Sequence, residues 1–130
     1  MTESQPKKLT GFTRVVAAGR NSLHGLRAAW NGEAAFRQEI ALCAVLVPIA
    51  LWLPVSRLEA LALIGVLALV LIVELLNSAV EAAIDRVGAE LHPLSKRAKD
   101  LGSAAVLVAL GLVGATWAVV LWPLAVRGLG

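Results

Sequence analysis

The stretch from Glu74 to Asp85 reads Glu-Leu-Leu-Asn-Ser-Ala-Val-Glu-Ala-Ala-Ile-Asp, and it follows a run, Ala60 to Val73, without a single polar side chain. In a helix, at about 100° per residue, Glu74, Asn77, Ser78, Glu81 and Asp85 fall within an arc of roughly 100°. Leu75, Leu76, Ala79, Val80 and Ile84 occupy much of the remaining circumference. A charge near hydrocarbon costs about 2.5–3.5 kcal/mol even on the mildest insertion scale, so this face requires a partner, a proton or a cation. The pattern points to chemistry at one end of a membrane helix.

The rest of the chain agrees with a membrane setting. A hydrophobic content of 58% and a mean hydropathy of +0.78 exceed what a soluble domain of this size carries. The expected organisation is a single membrane-embedded unit over residues 1–130. Cys43 is the lone cysteine and lies in an apolar stretch, which excludes an intrachain disulfide and a cysteine zinc site. Residues 1–9 are polar, with Lys7 and Lys8 and no apolar core behind them, and read as a short disordered leader, not a cleavable signal peptide.

Three segments are apolar and long enough to cross about 30 Å of hydrocarbon: residues 34–54, 58–86 and 100–123. The last contains the charge-free run Leu101 to Trp122. Pro48 is expected to kink the first, and Pro54 to end it. Ahead of them, residues 10–31 form a basic amphipathic helix with Phe12, Val15, Val16, Leu23, Leu26 and Trp30 on one stripe and Arg14, Arg20, His24 and Arg27 off it. Such a helix lies in the membrane interface, or packs on the protein itself. The fold class is therefore all-α: a surface helix and three membrane helices in a bundle. Lys and Arg crowd the N-terminal side and the Asp85 to Asp100 connection, while Arg57 and Arg127 alone mark the other side. By the positive-inside rule the N-terminus is cytoplasmic and the C-terminus external.

A carboxylate face at the cytoplasmic leaflet suits Mg²⁺, which takes one or two carboxylates plus waters and phosphate oxygens. Phosphoryl transfer needs positioning, metal, some Lys or Arg, and a base near the acceptor hydroxyl. Lys96, Arg97, Lys99 and Asp100 lie close to the carboxylate helix in sequence. Neither a P-loop nor a kinase glycine loop is present. Three other readings stand beside an enzyme: carboxylates acting as interhelical glue in an oligomer, a small cation-binding or ion-conducting oligomer, and a structural adaptor. Two carboxylates on one face with an asparagine between them favour chemistry over glue.

The Glu74 to Asp85 segment resembles the signature of the small integral-membrane diacylglycerol kinases of bacteria, Glu-x-x-Asn-Ser/Thr-Ala-x-Glu-x-x-x-Asp. The similarity extends to Thr-Gly-Phe-Thr-Arg at Thr10 to Arg14, Gly-Leu-Arg-Ala-Ala-Trp at Gly25 to Trp30, Glu-Ala-Ala-Phe-Arg-Gln-Glu at Glu33 to Glu39, and Arg-Ala-Lys-Asp-Leu-Gly-Ser-Ala-Ala at Arg97 to Ala105. The first and third of these are characteristic of the Gram-negative branch. The resemblance implies that Glu74 is the catalytic base and that Glu33 and Glu81 hold the divalent metal and contact nucleotide. It also implies that Asn77 and Asp85 support the carboxylate face. Nucleotide contacts are implied for Arg14, Asn21, Glu90, Leu91, His92, Lys99 and Asp100, with Lys99 on the phosphates. A lipid-lining set is implied of Arg14, Ala18, Gly19, Arg20, Asn21, Ser22, Leu23, Arg27, Ala28, Ala29, Trp30, Ala35, Phe36, Arg37, Gln38, Glu39, Glu74, Ser103, Trp117 and Trp122.

Departures from the family pattern fall at Asn21, where an aromatic tyrosine is usual, at Leu23 and His24, where a Trp-Lys pair is usual, and at Asn31-Gly32. Arg37 and Glu39 read as an interfacial ion pair, Trp52, Trp117 and Trp122 as interface anchors, and His24 and His92 as polar surface residues. The implied activity is Mg²⁺- and ATP-dependent phosphorylation of diacylglycerol to phosphatidic acid in lipid recycling at the inner membrane. Phosphorylation of undecaprenol is the close alternative. Membrane lipids and other copies of the chain are the expected partners, in the family's homotrimer, with no nucleic acid.

Overall fold

The computed structural model describes residues 6–128, so most of the leader, residues 1–5, lies outside the described residues. Four helices follow one another: α1 (Gly11–Gly32), α2 (Ala34–Trp52), α3 (Arg57–Val87) and α4 (Pro93–Gly128). No strand occurs among the described residues. The last three helices are long and apolar enough to span a membrane, as the hydropathy pattern requires.

Local chemistry sets the boundaries. Glu33 separates α1 from α2 with an extended backbone, φ −119° and ψ 107°, while its amide still reaches Ala29 O at 2.9 Å. The chain therefore changes direction at one residue. α2 runs on through Pro48 and stops at Trp52, ahead of Pro54, which cannot supply the next helical amide. α3 opens on a reciprocal capping box: Ser56 Oγ accepts from the Glu59 amide at 3.1 Å, and the Ser56 amide donates to Glu59 Oε2 at 2.8 Å. Two orphan amides are satisfied in this way at the short turn between α2 and α3. α4 begins at Pro93, a favoured first helical residue, with His92 Nδ1 accepting from the Leu94 amide at 3.1 Å.

The dry core lies between α2, α3 and α4. Leu63, Leu67 and Val70 of α3 meet Ala109, Val113 and Trp117 of α4, with Ala50 of α2 closing the cluster. On α3 these positions alternate in steps of four and three residues, the spacing that keeps one seam facing a partner helix. Trp117 is buried, at 8% exposure, and its indole N–H donates to Leu63 O at 3.3 Å. It is thus a core residue bridging α3 and α4 and not an interface anchor. Trp52 and Trp122 remain exposed near the C-terminal ends of α2 and α4, as anchors do.

α1 packs on the bundle only near its end, where Ala29 is buried. Its apolar stripe of Phe12, Val15, Val16, Leu23, Leu26 and Trp30 is exposed within the single chain. Of the two readings of this helix, packing on its own chain is therefore not what the monomer does with that stripe.

Candidate active site

The α3 seam does not end with the dry core. Continuing the same four-three alternation from Leu63, Leu67 and Val70 brings in Glu74, Asn77 and Glu81. Glu74 is buried, at 5% exposure, and Asn77 and Glu81 are half-buried. A carboxylate stands where the pattern of the helix calls for an aliphatic side chain. Burying a charge without partners is strongly unfavourable, so the position is retained for something other than packing.

Glu39 of α2 is also buried, at 8% exposure, with Oε2 lacking any hydrogen-bond partner. It faces Glu74 of α3 across the gap between the two helices. The sequence reading paired Glu39 with Arg37 at the interface. The structure instead turns Arg37 outward, where Nη1 donates to Trp30 O at 2.6 Å, and turns Glu39 inward, because the two residues project from different sides of α2. Glu33, at the α1–α2 junction, and Glu81, two turns along α3, lie within electrostatic reach of Glu74. Three carboxylates, from one junction and two helices, thus lie around the buried Glu74.

Asn77 Nδ2 donates to Glu81 Oε1 at 3.5 Å, while Asn77 Oδ1 is buried without a partner. On the opposite helix, a Cβ placed at Gly102 would fall onto Asn77 Oδ1. Gly102 lies inside the Lys-Asp-Leu-Gly-Ser run, but nothing local marks it, since its partner is on another helix. It is the residue that the sequence reading missed.

Beyond Glu81 the seam opens into a cleft of about 710 Å³ between the end of α3, the connecting loop and the first turns of α4. Asp85, Glu90, Leu91, His92, Lys99 and Asp100 all line it, so most of the residues assigned to nucleotide by resemblance are brought together. Lys99 Nζ donates to Asp85 Oδ1 at 2.7 Å, and Lys96 Nζ to Asp100 Oδ2 at 2.6 Å. Both pairs are largely exposed, so a charged ligand can displace either partner. His92 uses Nδ1 to cap α4, leaving its Nε2 edge for other contacts.

Other assigned residues are not gathered by a single chain. Arg14 and Asn21 lie on exposed α1 and do not line the cleft. Of the lipid set, Ala29, Phe36, Glu39, Glu74 and Trp117 are buried. Ala18, Gly19, Arg20, Ser22, Leu23, Arg27, Ala28, Trp30, Ala35, Arg37, Gln38, Ser103 and Trp122 are exposed along α1, α2 and α4.

Residues 20–121 match the sequence model of the prokaryotic diacylglycerol kinases. The chain belongs to this family. It is 54% identical to the diacylglycerol kinase of Escherichia coli K12 over 113 residues, covering 87% of this chain and 93% of that one. It is also 54% identical to the diacylglycerol kinase of Pseudomonas aeruginosa over 121 residues, covering 93% and 98%. With the Helicobacter pylori 26695 enzyme of the same name it shares 44% identity over 105 residues, covering 81% and 82%. The matched region includes the four carboxylates, Asn77, Gly102 and the cleft of this kinase.

Proposed function

We propose that this kinase transfers the γ-phosphoryl group of ATP to the free hydroxyl of 1,2-diacylglycerol, giving phosphatidic acid and ADP. By family and by 54% identity along most of its length, the chain is a diacylglycerol kinase, and a non-enzymatic cation channel is not favoured. One structural observation carries the mechanism: the buried Glu74 sits on the seam that joins the dry core to the charged cleft.

Depth in the membrane supports that division of labour. α3 has 31 residues, about 46 Å at 1.5 Å per residue, against about 30 Å of hydrocarbon. With Arg57 at one surface, Glu74 comes near the opposite edge of the hydrocarbon, and Glu81 and Asp85 lie beyond it. A lipid hydroxyl reaches Glu74 from the bilayer, and a soluble nucleotide reaches Lys99 from water.

In the reaction Glu74 accepts the hydroxyl proton, and the freed oxygen forms its bond to the γ-phosphorus. The bond from that phosphorus to the bridging oxygen of ADP breaks. Lys99 turns from Asp85 to the phosphates, and Asp85 keeps the ammonium at the cleft wall until then. Among the described residues, no three His, Cys, Asp or Glu side chains are placed to hold a metal unaided. A Mg²⁺ carried by phosphate oxygens does not need such a group. Glu81 and Glu33, both half-buried beside Glu74, have the donor chemistry for it. When bound, the ion neutralises charge on the transferring phosphate.

The same reading places the kinase in the bacterial inner membrane, N-terminus cytoplasmic and C-terminus periplasmic, recycling diacylglycerol. It is a homotrimer in which the exposed α1, with Arg14 and Asn21, completes a site between subunits. The test is transfer from labelled ATP to diacylglycerol and, separately, to undecaprenol, by purified protein in mixed micelles with and without Mg²⁺. Metal-dependent formation of phosphatidic acid is expected. Preference for undecaprenol would reassign the lipid, and no transfer to either would remove the kinase reading.

A further inference from the structure

Of the described glycines, Gly102 is the one whose missing Cβ is occupied by another side chain. A Cβ there would coincide with Asn77 Oδ1 and stand 3.1 Å from Asn77 Cγ. Gly111 and Gly114, on the same helix, would each meet nothing within 4 Å. A glycine inside a helix costs about 1 kcal/mol relative to alanine, and at Gly102 that cost has a specific counterpart on α3.

Hydrogen bonding alone does not hold the Asn77 amide, since Oδ1 is buried without a partner. Its remaining link is the donation from Nδ2 to Glu81 Oε1, long at 3.5 Å. Among the described residues Glu81 makes no other side-chain hydrogen bond. A bond of that length aligns only if the donor is steered by packing. Turning the amide over would set Oδ1 against a carboxylate oxygen, two acceptors facing each other. The Glu81 carboxylate thus selects which edge of the amide faces it, and the space at Gly102 is what lets the Asn77 side chain sit where that edge reaches Glu81.

We propose that Gly102 is a positioning residue for Glu81, acting through Asn77: the absent Cβ on α4 is the seat that aims the Asn77 amide at the Glu81 carboxylate. This rests on the reading that Glu81 holds the divalent metal with the nucleotide. A methyl group at this position forces Asn77 to rotate, Nδ2 withdraws, and Glu81 is left free to turn away from the site.

The test uses the purified oligomer in mixed micelles. Mn²⁺ binding with ADP, read by electron paramagnetic resonance without lipid substrate, is measured for the native chain, Gly102→Ala, Asn77→Ala and the double variant. The Mg²⁺ requirement of transfer is measured alongside. Gly102→Ala is expected to weaken Mn²⁺ binding and raise the Mg²⁺ requirement by about 10- to 100-fold, the range for groups that stand behind a metal ligand. Once Asn77 is truncated the added methyl has nothing to displace, so the double variant matches Asn77→Ala alone. Unchanged Mn²⁺ binding in Gly102→Ala, or losses that simply add in the double variant, overturns the proposal. Should Gly102→Ala fail to assemble, its rescue by Asn77→Ala supports the steric pairing, and failure of that rescue overturns it. Glu81→Gln separates the two levels: if it leaves Mn²⁺ binding intact, the metal role of Glu81 falls and the proposal with it. If it weakens binding while Gly102→Ala does not, the role of Gly102 alone falls.

Discussion

Two halves of one helical seam carry different chemistry on the same geometry. Toward the start of α3, Leu63, Leu67 and Val70 fill the gap to Ala109, Val113 and Trp117. Toward its end, the same spacing carries Glu74, Asn77 and Glu81, with Asn77 against Gly102, and beyond them Asp85 meets Lys99. In the first half the one polar group, the Trp117 N–H, is donated to Leu63 O. In the second, Asn77 Oδ1 is buried without a partner, as is Oε2 of the neighbouring Glu39. Buried polar atoms without partners are uncommon in proteins and mark places where something besides stability is selected. The comparison teaches that the apolar half fixes the register of α3 against α4, and the polar half spends that fixed register on orienting carboxylates.

The sharpest way to break this division is at Glu74. Glu74→Gln keeps the size of the side chain and is expected to lower turnover by about 10²–10⁴-fold, as loss of a general base does, with the thermal midpoint preserved or raised. Glu81→Gln should also lose turnover, with a raised Mg²⁺ requirement that the Glu74 variant does not share. Native turnover in Glu74→Gln would remove it as the base.

Leu67→Ala probes the other half. Because lipid is as apolar as leucine, the cost comes mainly from the cavity, and about 2 kcal/mol is expected, the lower end of the range for buried leucine. Denaturation in mixed micelles measures it, and the Mg²⁺ requirement should not move. A shifted metal requirement would show that the two halves are not separable. Trp117→Phe removes the donation to Leu63 O, for which about 0.6 kcal/mol is typical of interhelical bonds in membranes. The smallest effect belongs to Lys96→Ala, which breaks an ion pair between two exposed side chains. No resolvable loss of stability is expected, whereas Lys99→Ala, one turn deeper in the cleft, should weaken nucleotide binding.

Some of this site was legible in the chain and some was not. The carboxylate face of α3 follows from helical period alone, because Glu74, Asn77 and Glu81 lie on one segment. The cleft was legible in part, since Asp85 and the Lys99-Asp100 pair flank a single short loop. Glu39 was read as the partner of Arg37 because sequence proximity says nothing about which side of α2 faces α3. Trp117 was read as an anchor because an isolated tryptophan in an apolar run fits either a membrane interface or a core.

By itself, then, the sequence determined the membrane class, the helices, the polar face and the family, since each depends on local period, hydropathy or motif. The tertiary structure alone decided that Glu39 turns toward Glu74, that Trp117 bonds across to Leu63, and that Asn77 rests in the space left by Gly102. Those pairings join residues far apart in the chain, and their register is set by how whole helices interlock, which no single helix specifies.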